Sequence, residues 1–351
     1  MSEALINKLQ TLSEIVALSG HEVTVRRALR PMLEDHVDEI RVDAMGNLIT
    51  RKRGDGETKL RVMVTAHMDE VGLMVTDHTS DGGLRVDSVG GINAHLLPGL
   101  QVLVGEEQIA GVIGLKAIHR AKESEFSQAP ALDKLVVDIG VDSKESAVNL
   151  APVGTPIAFP PKFRELGATM MGKAFDDRGG CAILTTLLQG ERFAFDLYGV
   201  FTAQEEVGLR GAYVAAYTVE PDIAFSLECT VADDLPKEED EDVSPTTELG
   251  KGPAITVMDH SYVTPPHILR LLIEAAEAEQ IPYQLKQPGI SGTEPGAIHR
   301  AKGGVPSVTI AVPCRYIHSP LALMNRQDLE NTLRLVRAAL NRLTVDYLQL
   351  A

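Results

Sequence analysis

The chain has 351 residues, 44% hydrophobic and 23% charged, with a formal charge of -16 from 49 acidic against 33 basic residues. That length suits a catalytic domain with a smaller companion, and the composition is that of a folded globular protein. The acidic balance disfavours nucleic acid and anionic membranes as partners, no apolar run approaches the roughly 20 residues that span a bilayer, and the first ten residues lack the basic start and apolar centre of a signal peptide.

In chain order, Leu5, Leu9, Leu12 and Val16 fall on one face of a helix expected over Glu3–Leu18, ending at Gly20. A second helix is expected over Val23–Val37, then strands at Glu39–Val42 and Asn47–Arg51 around the turn at Gly46. The run Leu60–Ala66 is apolar on both faces and reads as a strand in the middle of a covered sheet. From Gly72 to Phe163 the texture changes to short β-rich runs (Gly72–Thr76, Leu84–Val89, Gln101–Val104, Leu135–Ile139) punctuated by Gly, Pro and Asp, which predicts a compact inserted β-barrel. Strand–helix alternation then resumes, with helices expected at Gly180–Gln189, Pro265–Glu279, Pro295–Ala301 and Gln327–Leu348. The strands between them are Asp196–Thr202, Asp222–Leu227, Ala254–Met258 and Ser307–Val312. This predicts an α/β catalytic domain, residues 1–71 with 164–351, built on a mainly parallel sheet with helices on both faces, and interrupted by the β-rich insertion 72–163. Lys237–Asp242 reads as a solvated acidic loop. Cys181, Cys229 and Cys314 are odd in number and far apart, so neither a zinc knuckle nor a disulfide framework is indicated and a reducing cytoplasm is expected.

The polar residues at strand ends carry the functional argument. His67 and Asp69 follow the strand ending at Ala66, Glu205 and Glu206 follow Thr202, Glu228 follows Leu227, and His318 lies a few residues past Val312. Ligands of open α/β sheets gather at the carboxyl ends of strands. A lone histidine there is usually an ordinary loop residue, and paired glutamates are usually a solvated face. Convergence from four strands points to a metal. Asp176 and Asp177 precede the helix expected at Gly180. One aspartate alone would read as a helix cap; two suggest that one bridges cations while the other caps. Imidazole and carboxylate donors without thiolate suit Zn²⁺, Co²⁺ or Mn²⁺. His95, His119 and His299 read as surface or structural residues, Cys181 and Cys229 as packing. The loop Ser291–Glu294 is a candidate pocket wall.

Four motifs in order, Ala66-His67-Met68-Asp69-Glu70-Val71-Gly72, Phe175-Asp176-Asp177-Arg178-Gly179, Gln204-Glu205-Glu206-Val207-Gly208 and Arg315-Tyr316-Ile317-His318-Ser319-Pro320, resemble those of the M42 metallo-aminopeptidases, which include the tetrahedral peptidases and some members labelled endoglucanases. The resemblance runs from the first helix to the last. It implies two divalent ions per subunit, zinc or cobalt with manganese as a third choice. Asp176 would bridge them, with a cis peptide bond to Asp177. His67 and Glu228 would complete one site, and Glu206 and His318 the other. Glu205 would be the general base and Asp69 the carboxylate that fixes the His67 tautomer. The resemblance further implies peptide substrates trimmed from the N-terminus, and self-association through the insertion into dimers and a hollow, often twelve-subunit particle. Many relatives carry Asp where this chain has Glu228, and Glu where it has Ala322. Three rival readings stand beside this one. A metal-independent glycosidase would leave His67 and His318 without a role; a related two-metal deacylase or carboxypeptidase is the second rival, and a non-catalytic assembly protein the third.

Overall fold

The computed structural model describes residues 2–115, 119, 130–236, 246–289 and 291–348; the acidic run Lys237–Asp242 lies outside them. The catalytic layer opens with α1 (Ser2–Ser13) and α2 (Val23–Leu33), then β1 (Glu39–Val42), β2 (Leu48–Lys52) and β3 (Arg61–His67). An all-antiparallel barrel follows from β4 (Gly72–His78), β5 (Leu84–Val89), β6 (Gln101–Val104), β7 (Ile109–Gly114), β8 (Val136–Asp138) and β9 (Pro156–Ala158), with the short α3 (Lys144–Leu150) beside it. The chain then returns through β10 (Arg164–Leu166), β11 (Thr169–Gly172), α4 (Phe175–Leu188), β12 (Asp196–Thr202), α5 (Arg210–Val219), β13 (Ile223–Val231) and β14 (Ala254–Thr256). It ends with α6 (Pro266–Ala278), β15 (Gln284–Lys286), α7 (Pro295–Ile298), β16 (Ser307–Arg315), β17 (Ala322–Asn325) and α8 (Arg326–Arg342).

The strand order of the large sheet is β1-β2-β12-β3-β13-β16-β17-β11-β10. Its centre, β12, β3, β13 and β16, is parallel as expected, and antiparallel strands extend it at both edges. Side chains alternate across a strand, so Val62, Val64 and Ala66 of β3 join a core beneath α1, α2, α4, α6 and α8, while Met63 packs on the other face with Ala212, Ala216 and Ile298 from α5 and α7. The barrel closes in the order β4-β5-β8-β7-β6-β9 over its own core, which includes Leu73, Val86, Leu97, Val102 and Val137. Of the apolar residues the sequence clusters near the start of this segment, Leu97, Val102 and Val104 are therefore barrel interior, and Leu96 stays exposed.

Several expected elements shift. The first helix stops at Ser13, not Leu18, because the carbonyls of Leu12, Ile15 and Ala17 accept hydrogen bonds from the buried Arg178 and Lys173 side chains instead of continuing the helix. The second stops at Leu33 rather than Val37. The last helix ends at Arg342, where Leu343 turns extended, and only a 3₁₀ turn follows at Val345–Leu348. Glu228 does not follow its strand: β13 runs beside β16 as far as Val231, so Glu228 lies inside it. Helix α5 and the short antiparallel strands β10, β11 and β17 lie outside the expected elements.

Candidate metal centre

The parallel centre fixes where the polar side chains meet. His67 is the last residue of β3 and stands in register with Thr202, the last residue of β12. Glu205 and Glu206 follow in the next turn, Glu228 comes from β13, and His318 follows β16 in a left-handed turn (φ 56°). Asp176 opens α4, with non-helical φ and ψ at both aspartates and a cis peptide bond between them. The structure brings all seven expected site residues into one cluster.

Asp176 is its centre. Its Oδ1 lies 3.3 Å from His67 Nε2 and its Oδ2 lies 3.2 Å from His318 Nε2. Around His67 Nε2 are also Glu228 Oε2 at 3.7 Å and Glu205 Oε2 at 3.9 Å; Glu206 Oε2 is 3.5 Å from His318 Nε2. Each imidazole turns Nε2 inward because Nδ1 has an acceptor behind it. His67 Nδ1 lies 3.1 Å from the Asp69 backbone carbonyl and 3.5 Å from its carboxylate, so the carbonyl is the nearer acceptor. His318 Nδ1 lies 3.0 Å from the carbonyl of Gly91, a residue of the barrel. The adjoining Gly90 (φ 80°) packs so closely that an added Cβ would stand 3.2 Å from Glu206 Oε2 and 2.8 Å from Val71.

Asp177 lies beside this centre and braces the backbone around it. Its Oδ1 accepts from Gly180 N (2.8 Å), capping the body of α4, and its Oδ2 accepts from His67 N (3.2 Å). Asp69 receives Ser19 Oγ (2.6 Å), Glu205 N (3.0 Å) and Glu206 N (3.1 Å). Beneath the cluster is a fully buried ion group of Glu70, Lys173 and Arg178; Glu70 and Arg178 fall within two of the four motifs, but nothing in the sequence pairs them with each other or with Lys173. Lys173 donates 2.7 Å bonds to both Glu70 oxygens, and Arg178 reaches the Met68 carbonyl at 2.8 Å. Buried Glu294 was expected only within a pocket wall; it bonds to Thr202, and its backbone N–H lies 3.4 Å from Glu228 Oε1. His95 and His119 are exposed, and His299 bonds locally to the Pro295 carbonyl.

Crowding of like charge sets the electrostatics. Burial, then the charges of neighbouring carboxylates, pushes Glu205 and Glu228 well above the usual carboxylate range. Burial likewise raises Glu206 to about 7, against the pull of His318. Burial would lower both imidazoles, but the carboxylates around them prevail: His67 is held well above its ordinary value and His318 is raised to about 9. Asp176, despite burial, is held low by the two histidines.

This donor set fits divalent cations. Asp176 Oδ1 is buried without a partner in hydrogen-bonding geometry, although His67 Nε2 is only 3.3 Å away. Ligand atoms of His67, Asp176 and Glu206, and of His67, Asp177 and Glu228, lie within 4.8 Å of one another. Buried carboxylates at such density need a compensating positive charge, and nitrogen and oxygen donors suit zinc, cobalt or manganese.

Comparison with known proteins agrees with this chemistry. The sequence pattern of the M42 glutamyl aminopeptidases matches residues 46–335. A lysyl aminopeptidase of Pyrococcus furiosus is 31% identical, with 95% of this chain and 96% of that one aligned. A glutamyl aminopeptidase of Lactococcus lactis is 30% identical over 97% of each chain. Among solved structures, an aminopeptidase from the archaeon Desulfurococcus kamchatkensis superposes with a TM-score of 0.93 at 34% identity, covering 99% of this chain and 97% of that one. The TET1 peptidase of Pyrococcus horikoshii, described as assembling into a tetrahedron or a large octahedral shell, gives 0.85 at 32% over 97% and 100%. A Thermotoga maritima structure titled endoglucanase gives 0.77 at 35% over 94% and 95%. Fold, site and relatives define a peptide hydrolase of the aminopeptidase class. The chain belongs to the M42 family of aminopeptidases.

Proposed function

We propose that this aminopeptidase works with two divalent cations, zinc or cobalt with manganese as a third choice, and uses Glu205 as its general base. The observation that carries the proposal is Asp176, whose two oxygens face two different imidazoles at 3.3 and 3.2 Å. Asp176 would hold both ions, His67 and Glu228 one of them, Glu206 and His318 the other. When bound, these ions would lower the pKa of water and polarise the scissile carbonyl.

The remaining work belongs to the chain. Glu205, beside the cluster and 11% exposed, takes the proton of the attacking water and returns it to the departing amine. Asp69 and its carbonyl hold His67 with Nε2 inward, and the Gly91 carbonyl does the same for His318. The surplus of carboxylates attracts a free α-amino group, which orients a peptide by its N-terminus. Residues 72–163 would serve as a dimerisation domain within a closed homo-oligomer, from a dimer up to twelve subunits, that admits short peptides and excludes folded proteins. A cytoplasmic setting accords with three buried free cysteines.

The decisive experiment strips the protein of metal, restores zinc, cobalt or manganese, and assays a panel of aminoacyl-p-nitroanilides alongside elemental analysis. Lysyl and glutamyl substrates both belong in it, since relatives named for each are equally distant. The expected result is close to two ions per chain and peptidase activity abolished by chelation. Full activity without metal would overturn the proposal, and cellulose hydrolysis surviving a chelator would establish the glycosidase reading instead.

A further inference from the structure

The turn that carries the glutamate pair is held in an unusual way. Four successive backbone N–H groups, of Ala203, Gln204, Glu205 and Glu206, all donate to side-chain oxygens from distant parts of the chain. Ala203 N reaches Asn47 Oδ1 (2.9 Å) and Gln204 N reaches Glu22 Oε1 (3.1 Å); Glu205 N and Glu206 N reach the two oxygens of Asp69 (3.0 and 3.1 Å). Gln204 at the middle of the run is left-handed (φ 57°). Such an arrangement ordinarily makes a concavity for an external anion. Here the protein fills it with its own Asn47 amide oxygen and the carboxylates of Glu22 and Asp69.

One of these contacts, through Glu22, and the support of the Asp69 pair, through Ser19, come from the connector between α1 and α2, a segment with no catalytic signal of its own. Glu22 is 2% exposed, and its Oε1 also accepts from Gly20 N (2.7 Å), whose left-handed turn (φ 84°) folds the connector back on itself. Ser19 Oγ donates to Asp69 Oδ2 at 2.6 Å, on the same oxygen that receives Glu206 N. The connector is in turn anchored to the cluster floor, since the Ala17 amide donates to Glu70 Oε1 (2.9 Å) and the Ala17 carbonyl receives Arg178.

We infer that Glu22, with Ser19 acting through Asp69, positions the general base by fixing the backbone of the turn that carries Glu205. This rests on Glu205 being the base. Neither residue is placed to touch substrate, and neither is a donor to the cations. They set the direction in which the Glu205 carboxylate leaves the turn. A reacting group displaced by about 1 Å loses on the order of 10²-fold in rate, so a loosened turn should reach turnover before it reaches binding.

The test compares Glu22→Met, Glu22→Gln, Ser19→Ala and Glu205→Gln in the metal-loaded enzyme, reading kcat and KM separately together with metal content. Glu22→Gln keeps a carbonyl acceptor at the same distance and should stay within about threefold of the parent, while Glu22→Met should lose roughly 10–100-fold in kcat. KM and the number of bound ions should not change in either. Ser19→Ala should lower kcat by at least about threefold, again with KM unchanged. Parental kcat in Glu22→Met overturns the inference, as does a Glu22→Gln loss equal to that of Glu22→Met, which would tie the effect to charge rather than to the hydrogen bond. Loss of metal, or a rise in KM alone, overturns it as well. Should Glu22→Met not fold, Ser19→Ala decides between the same outcomes. An active Glu205→Gln would remove the assigned base, and the inference with it. An inactive Glu205→Gln beside an unaffected Glu22→Met would remove the inference alone.

Discussion

Removing the cations should make the stability of this protein fall as pH rises, and the size of the fall follows from Glu206. Burial raises its carboxyl from 4.5 to about 7. A folded-state value above the unfolded one means that the contribution is fully present below pH 4.5 and is lost as pH climbs through 7. At about 1.4 kcal/mol per pH unit, ionising this one group in the stripped site costs about 3 kcal/mol. Glu205 and Glu228, raised by the same burial, add to the loss, as do His67 and His318, held above their ordinary values by the carboxylates around them, whose contribution is lost as pH rises above 6.5. Asp176 is held low, so its contribution is constant across the window. With an unfolding entropy of about 2.1 cal/mol/K per residue over 351 residues, about 3 kcal/mol corresponds to a shift of about 4 °C. The assay is a set of thermal melts from pH 4.5 to 8 on stripped and cation-saturated protein, with Glu206→Gln alongside. The difference in Tm between the two forms should widen with pH, and Glu206→Gln should remove about 4 °C of that widening. A difference independent of pH, or unaltered in Glu206→Gln, would refute the reasoning.

Other expectations can be checked in the same preparations. Glu205→Gln should keep its metal and its melting temperature while losing about 10²–10⁴-fold in kcat; release of metal there, with Glu206→Gln fully active, would show the two roles to be reversed. Lys173→Met removes the nearer cation from the buried Glu70 carboxylate and leaves it only Arg178, whose Nη2 is 3.6 Å from Oε1, which should cost up to about 3–5 kcal/mol in denaturant unfolding; a stability equal to the parent's would refute this. Light scattering should find at least a dimer, and replacing residues 72–163 with a short linker should leave smaller species. A fully active monomer at micromolar concentration would refute the assembly proposal and leave the chemistry intact.

What could be read in the sequence was whatever lay within a few residues of a strand end. His67, Asp69, Glu205, Glu206 and His318 were visible because an apolar run followed by a ligand-type residue is a local pattern. Glu228 is visible as well, but its strand runs four residues past the expected end at Leu227, since continuation to Val231 depends on pairing with β16. Glu22, Ser19 and the Glu70–Lys173–Arg178 group carry no such pattern. Their partners lie 50 to 182 residues away along the chain, and only the fold brings them together. The same long-range bonds ended α1 early, where periodicity alone would have continued it. The antiparallel strands β10, β11 and β17 escape a sequence reading because a three- or four-residue strand carries too little alternation to be recognised before its neighbours are known.

The Gly91 carbonyl gives the barrel a mechanical hold on the chemistry. The barrel is joined to the catalytic layer by the chain on either side of it, and it also grips His318 through that single carbonyl while Gly90 presses on Glu206. If the barrel tilted by little more than an ångström, the bond from Nδ1 would part and the ring would be free to swing Nε2 away from Asp176. Linkage works in both directions: were His318 to hold a cation as proposed, that ion would also steady the barrel, and a partner leaning on the barrel would alter how tightly the ion is held. A surface far from the scissile bond would then have a lever on it, with the fulcrum at two glycines.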